Sequence, residues 1–211
     1  DVVSYFVVAQ DVVATPNIGA NPSVGFAATD VNSVTTPPTT PNSYTINSTL
    51  ATGTYLVGAA QTSPNFTTLT AAVNAYNNSC LTGPIVFELT DGSYSASETF
   101  PISINSHTEA SSTNTLTIRP ASATAVTVTG SSAANALIYF NGADYITING
   151  VNTGGASLTI RNTSTSIATI RMANDATNNT VQNAIIEGAV TSSSLGVIVL
   201  STGTTTGNDN I

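Results

Sequence analysis

The chain has no tryptophan and no lysine, and only one cysteine, one histidine and one methionine; its cations are Arg119, Arg161 and Arg171. Three arginines against 11 acidic residues leave a formal net charge of −8. Binding nucleic acid takes a basic patch that displaces counterions, and an anionic membrane surface attracts the same kind of patch, so neither partner is expected. No apolar run approaches the roughly 20 residues of a membrane-spanning helix. Cys80 has no second cysteine to pair with and reads as a small buried residue. His107 lies in the polar stretch NSHTEASS and reads as a surface residue, with no serine-elbow motif and no nearby cysteine in the sequence to support a triad. The chain opens DVVSYFVVAQD, without Met or a basic leader, and is expected to be a mature or excised segment of something longer.

What is present is threonine, serine and asparagine. Charged residues make up 7% of the chain, against about 25% in an ordinary soluble domain, while 41% is hydrophobic. Solubility therefore rests on neutral polar groups. Thr favours strands, and Asn and Ser favour turns. This composition suits a secreted, extracellular protein.

Residues 115–150 read TLTIRPASATAVTVTGSSAANALIYFNGADYITING. Ile118, Val128, Ile138 and Ile148 are ten residues apart in turn, and Ile160 and Ile170 continue the series. Each run alternates apolar residues with Thr, Asn or Arg, so each strand has one inward and one wet face. The runs LTIRP, LTIRN and ATIRM repeat one pattern, as stacked rungs do, and Asn-rich corners outnumber hairpin signals after Asp91-Gly92. The fold expected is all-β, a right-handed parallel β-helix; three strands per coil would give rungs of about thirty residues and two strands about twenty, and three is the preferred reading. Thr117, Thr127, Thr129, Thr147, Thr159 and Thr169 are expected to face outward.

Two further zones precede the strands. Residues 1–50 contain the strand-like VVSYFVVAQ and the Pro-rich TTPPTTPNSY; they read as an extended segment, the end of a preceding module or a connector between subunits. Phe66, Leu69, Val73 and Tyr76 recur at spacings of three and four and predict one helix over about 64–78, with Ser63 or Asn65 as its cap and Pro64 in its first turn. The β-helix then occupies residues 51–211, with that helix capping its start.

The helix followed by PIVFELTDGSY resembles the opening of pectin-methylesterase-like and pectate-lyase-like β-helices; Gly92 and Tyr94 match their first turn, but Ala96 stands where the esterases have an acidic residue. A closer resemblance is to repeat modules of very large secreted bacterial surface proteins. FVVAQD, NPSVGF, TTPPTTPNSYTI, LTAAVNAYNNSC, GPIVFELTD, NTLTIRP, ALIYFNGADYITING and ATNNTVQN are similar to segments of those modules. This resemblance spans nearly the whole chain and implies an exported, displayed β-helical repeat with no assigned activity.

The residues argue against catalysis. Polysaccharide hydrolases place paired carboxylates on one face, but here no two acids lie within two residues of each other. A three-strand coil would bring together Asp144 and Asp175, 31 residues apart, but they read as two solvated corner carboxylates. No catalytic, cofactor-binding or metal-binding residues are assigned. A structural calcium ion would draw on Asn174-Asp175 and Asn208-Asp209-Asn210, without the periodicity of calcium-binding rolls. Tyr139 and Tyr145, with Asp144 between them, form the one candidate ligand platform, for a surface glycan. The arginines are expected to pair with Asp144, Asp175 or Glu187. Asn47, Asn65, Asn77, Asn162 and Asn178 head glycosylation sequons.

No capping segment follows Gly203, which predicts an open solenoid end. Val2, Val3, Tyr5, Phe6, Val7 and Val8 are assigned to an assembly contact with a copy of the protein or an adjacent module. The function expected is structural: a non-enzymatic repeat or subunit of an extracellular, adhesin-like surface fibre. The alternative is a polysaccharide-binding or polysaccharide-processing β-helix.

Overall fold

A computed structural model describes residues 1–192, 195–201 and 207–211. The chain divides into two compact units, Asp1–Asn47 and Ser48–Ile211.

The first unit covers most of the stretch read as a strand followed by a Pro-rich segment. It is built from three antiparallel ribbons. β1 (Val2–Tyr5) pairs with β6 (Asn42–Thr45), β2 (Val7–Gln10) with β3 (Ile18–Asn21), and β4 (Ala27–Ala28) with β5 (Val34–Thr36). Pro37 and Pro38 lie between β5 and β6, where no ladder hydrogen bond is needed from them. Tyr5 packs on Tyr44 and Phe6 on Phe26, with ring centroids 6.1 and 6.3 Å apart.

The second unit is a parallel β-helix, as the ten-residue beat predicts. β7 (Ser48–Leu50) pairs in parallel with β9 (Ser79–Leu81) at its start. The first sheet is five strands deep: β8 (Gly53–Val57), β10 (Ile85–Leu89), β13 (Leu116–Pro120), β16 (Ile146–Asn149) and β19 (Thr180–Gln182). The second stacks β11 (Ser93–Tyr94), β14 (Ala125–Gly130), β17 (Ser157–Asn162) and β20 (Ile185–Gly188). The third stacks β12 (Ile102–Asn105), β15 (Ala136–Asn141), β18 (Ala168–Ala173) and β21 (Ile198–Leu200). Each full coil therefore takes one strand from each sheet. The coil repeat runs from 26 residues (Thr159 to Ile185) to 36 (Ile102 to Ile138).

Period-2 alternation puts like side chains into vertical columns. Phe87, Ile118, Ile148 and Val181 stack in the first sheet, Tyr94, Val128, Ile160 and Ile186 in the second, and Ile102, Ile138, Ile170 and Ile198 in the third. The middle members are buried. Each such side chain contributes about 1.5–3 kcal/mol relative to exposure. Thr169 departs from the expected wet face. It is fully buried, and its hydroxyl donates to the Glu187 carbonyl at 2.7 Å.

The corners are built from asparagine, as expected. Asn174, Asn178, Asn183 and Asn210 all have positive φ, a conformation that Asn tolerates better than most residues. Asn141 Nδ2 donates to Asn105 Oδ1 at 3.0 Å and Asn174 Nδ2 to Asn141 Oδ1 at 2.6 Å, a ladder across three coils. Buried Asn179 donates to the Ala143 carbonyl and accepts from the Ile146 amide, closing a corner backbone from within.

The helix, α1 (Leu69–Asn78), is shorter than expected. Thr68 is its cap, accepting from the Ala71 amide at 3.0 Å, in place of Ser63 or Asn65. Asn65 instead accepts from the Leu56 amide, and Phe66 forms a bridge to Val57. Glu98, from the next coil, accepts from the Leu69 and Thr70 amides at 2.9 and 2.7 Å, placing a negative charge where the helix dipole favours one. At the other end, Asn77 donates to the Ser103 carbonyl and accepts from the Asn105 amide, satisfying backbone groups of β12. The helix thus covers the start of the third sheet.

Candidate functional site

A depression lies at the corner where the first sheet turns into the second. Glu88 on β10 and Arg119 on β13 are register partners with outward parity. Arg119 Nη2 donates to Glu88 Oε2 at 2.8 Å, a pair that is part exposed and contributes about 0–1 kcal/mol. Arg119 Nε is buried with no partner. Residues 121–123 turn the chain after β13, and one coil on, residues 151–156 turn it after β16. Between these turns lies a cleft of about 320 Å³, lined by the ion pair, Ser122, Ala123, Val151 and Thr153 among others.

The far lip of this cleft is strained. Val151 has φ +62° and Asn152 φ +56°. A β-branched residue in this region is an outlier, and such positions cost on the order of 1–3 kcal/mol. The local sequence holds it there. Asn149 Oδ1 accepts from the Val151 amide at 2.9 Å, and Asn183 Nδ2 donates to Asn149 from the next coil. Gly150 is required, because a Cβ there would sit 2.0 Å from the Asn183 carbonyl oxygen.

A second depression, of about 280 Å³, lies at the end of β17 beside Arg161 and Glu187. These two are also register partners, with Arg161 Nε donating to Glu187 Oε2. That hydrogen bond, with the attraction between the charges, raises the Arg161 pKa. Of the expected arginine pairings, this is the one observed as named; Arg119 uses Glu88. Arg171 donates to Ser201 Oγ at 2.8 Å and lies 5.9 Å over the Tyr139 ring.

The expected tyrosine platform is otherwise employed. Tyr139 is 8% exposed and its hydroxyl accepts from Asn174 Nδ2. Tyr145 is half-buried at φ +59°, and Asp144 accepts from the Thr177 amide and hydroxyl at 2.7 and 2.9 Å. Asp175 accepts from the Gly207 amide at 3.0 Å, so the two carboxylates serve separate corner bonds. The calcium candidates are likewise engaged: Asn174 on Asn141, and Asn208 Oδ1 on the Ala176 amide. No group of three or more His, Cys, Asp or Glu able to hold a metal ion occurs among the described residues.

Two single residues differ from expectation. Cys80 is exposed, because on β9 the inward positions fall to Ser79 and Leu81. His107 is not on the surface: its side chain is 8% exposed, packed 5.3 Å from the Tyr76 ring. Its Nε2 lies 2.7 Å from the Ser79 carbonyl and its Nδ1 2.6 Å from Glu109 Oε2. Glu109 has a lowered pKa, first through the Thr108 hydroxyl and then through its own amide and His107. Partners 28 and 31 residues away made His107 illegible in the sequence. Among the sequons, Asn162 is 1% exposed and Asn65, Asn77 and Asn178 hold hydrogen bonds; Asn47 is exposed.

Comparison with protein-family models, curated proteins and solved structures gives no match.

In the first unit, residues assigned to assembly are already strands. Val2, Val3 and Tyr5 lie on β1, and Val7 and Val8 on β2. Val2, Tyr5 and Val7 keep 68%, 46% and 60% exposure; Val3, Phe6 and Val8 are half-buried. At the other end, Ile198 and Leu200 continue the inward columns of Ile170 and Met172, yet are 48% and 57% exposed. Residues 202–206, where the sequence reading expected no cover for the last coil, lie outside the described residues.

Proposed function

We propose that this protein is a non-enzymatic structural element of an extracellular, adhesin-like surface fibre, built by stacking coil on coil. The observation that carries this is the last described coil. Ile198 and Leu200 have inward parity, and a polar substitution would suit their exposure better than the apolar residues present. They match a further coil, from an adjacent module or a second copy, that would lengthen the same columns. The exposed apolar residues of β1 and β2 offer a second contact of the same kind.

The carboxylates support a structural reading. Glu98 holds a helix start, Asp91 the Ala59 amide, Asp144 a corner, and Glu88 and Glu187 arginines on neighbouring coils. Each spends its charge on joining one coil to the next. The Thr-, Ser- and Asn-rich, lysine-free composition supports a secreted location.

The test is sedimentation of the full chain across concentration, beside I198D/L200D. Concentration-dependent association that the double substitution abolishes supports end-to-end stacking. A monomer at every concentration, or association unchanged by I198D/L200D, refutes it.

A further inference from the structure

The Glu88–Arg119 cleft differs from a plain surface groove in three ways. First, its ion pair is only partly used. One hydrogen bond joins the two side chains, Arg119 Nε is buried and unpartnered, and Glu88 Oε1 has no hydrogen-bond partner among the described residues. Second, its lip holds Val151 in a conformation that valine avoids. Strain of this kind clusters at ligand clamps. Third, its lining mixes the Ser122 and Thr153 hydroxyls with the small apolar Ala121, Ala123 and Ala156. The volume of about 320 Å³ falls at the lower end of small-ligand pockets.

We infer that this cleft binds one unit of a neutral, hydroxyl-rich ligand, a neutral sugar residue. A hydroxyl both accepts and donates. Adjacent hydroxyls therefore accept from Arg119 and donate to Glu88 while the ion pair stays intact. A carboxylated ligand would meet the Glu88 charge on a chain of net charge −8, and a cation would meet Arg119. The alanines and Val151 face the C–H side of the ring. Such a site gives the protein a lateral attachment point, and it does not depend on end-to-end stacking.

The test uses the full chain and residue-resolved amide NMR. D-glucose, D-galactose and D-mannose, their methyl glycosides, and D-glucuronate are titrated in turn. Saturable shifts at Ala121, Ala123, Thr153 and Gly154 are expected with at least one neutral sugar, at a Kd on the order of 1 mM. Glucuronate should bind at least about tenfold more weakly, and E88Q should cost about tenfold in affinity with unchanged thermal stability. Methyl glycosides that bind equally well assign the cleft to units within a glycan; glycosides that fail assign it to the free sugar. V151N, which suits the positive φ, should raise thermal stability and weaken binding several-fold. The inference is overturned if no neutral sugar gives saturable shifts at these amides up to about 100 mM, far above that Kd. Tighter binding of glucuronate, or unchanged affinity in both E88Q and V151N, also overturns it.

Discussion

Ile170 and Ile198 occupy consecutive places in one inward column, so the same substitution at each measures what covers the last coil. Ile170 is fully buried and Ile198 is 48% exposed. Replacing Ile170 by alanine removes its transfer free energy and leaves a cavity between coils, at a cost of about 2–5 kcal/mol. At Ile198 only about half the side chain leaves water and no closed cavity forms, so the loss is about 1 kcal/mol. Urea unfolding followed by far-UV circular dichroism at low micromolar concentration reads the difference. Solenoids unfold as coupled repeats, so midpoints by one probe are compared at equal slope. The Ile170→Ala midpoint should fall well below that of Ile198→Ala. If the two variants lose equal stability in the dilute protein, Ile198 is covered within a single chain, and the open-coil reasoning fails.

Other outcomes follow from single residues. Burial, with smaller contributions from Asp144 and Glu109, pushes the Tyr76 pKa up to about 12 from 10.0. The unfolded chain therefore loses this proton first, and stability, complete below pH 10, should fall by up to about 3 kcal/mol between pH 10 and 12. Tyr76→Phe removes a buried hydroxyl with no partner; it should hold or raise stability by about 1 kcal/mol and blunt that alkaline loss, as read by thermal melts against pH. Glu98→Ala leaves two helix amides unpaired and should cost about 2 kcal/mol, with faster hydrogen exchange at Leu69 and Thr70. Cys80 should react fully with a maleimide in the folded protein; protection until unfolding would contradict its exposure.

The legible parts of this fold were those written in local periodicity. Ile118, Val128, Ile138 and Ile148 point inward because alternation fixes strand parity; the ten-residue beat fits coils of two strands as well as of three, and the pairing of the sheets decides for three. The illegible parts depended on distant partners. Phe66 keeps the helical spacing but lies before the helix, because its bridge to Val57 holds it in extended backbone. Val2 finds Thr45 across the whole first unit, a pairing that no local pattern announces. The candidate cleft was half visible. Arg119 stood out as a rare cation, but its pairing with Glu88 needs the exact coil length at that level, 31 residues rather than a nominal thirty. The strain at Val151 left no sequence signal beyond the Asn-Gly before it and the Gly-Gly after it.

The most direct measurement of a stacking, structural role is negative-stain imaging of the purified full chain. Filaments whose axial repeat matches one stacked chain, absent in I198D/L200D, are the result predicted. Dispersed single particles in a preparation that depolymerises a glycan would contradict it.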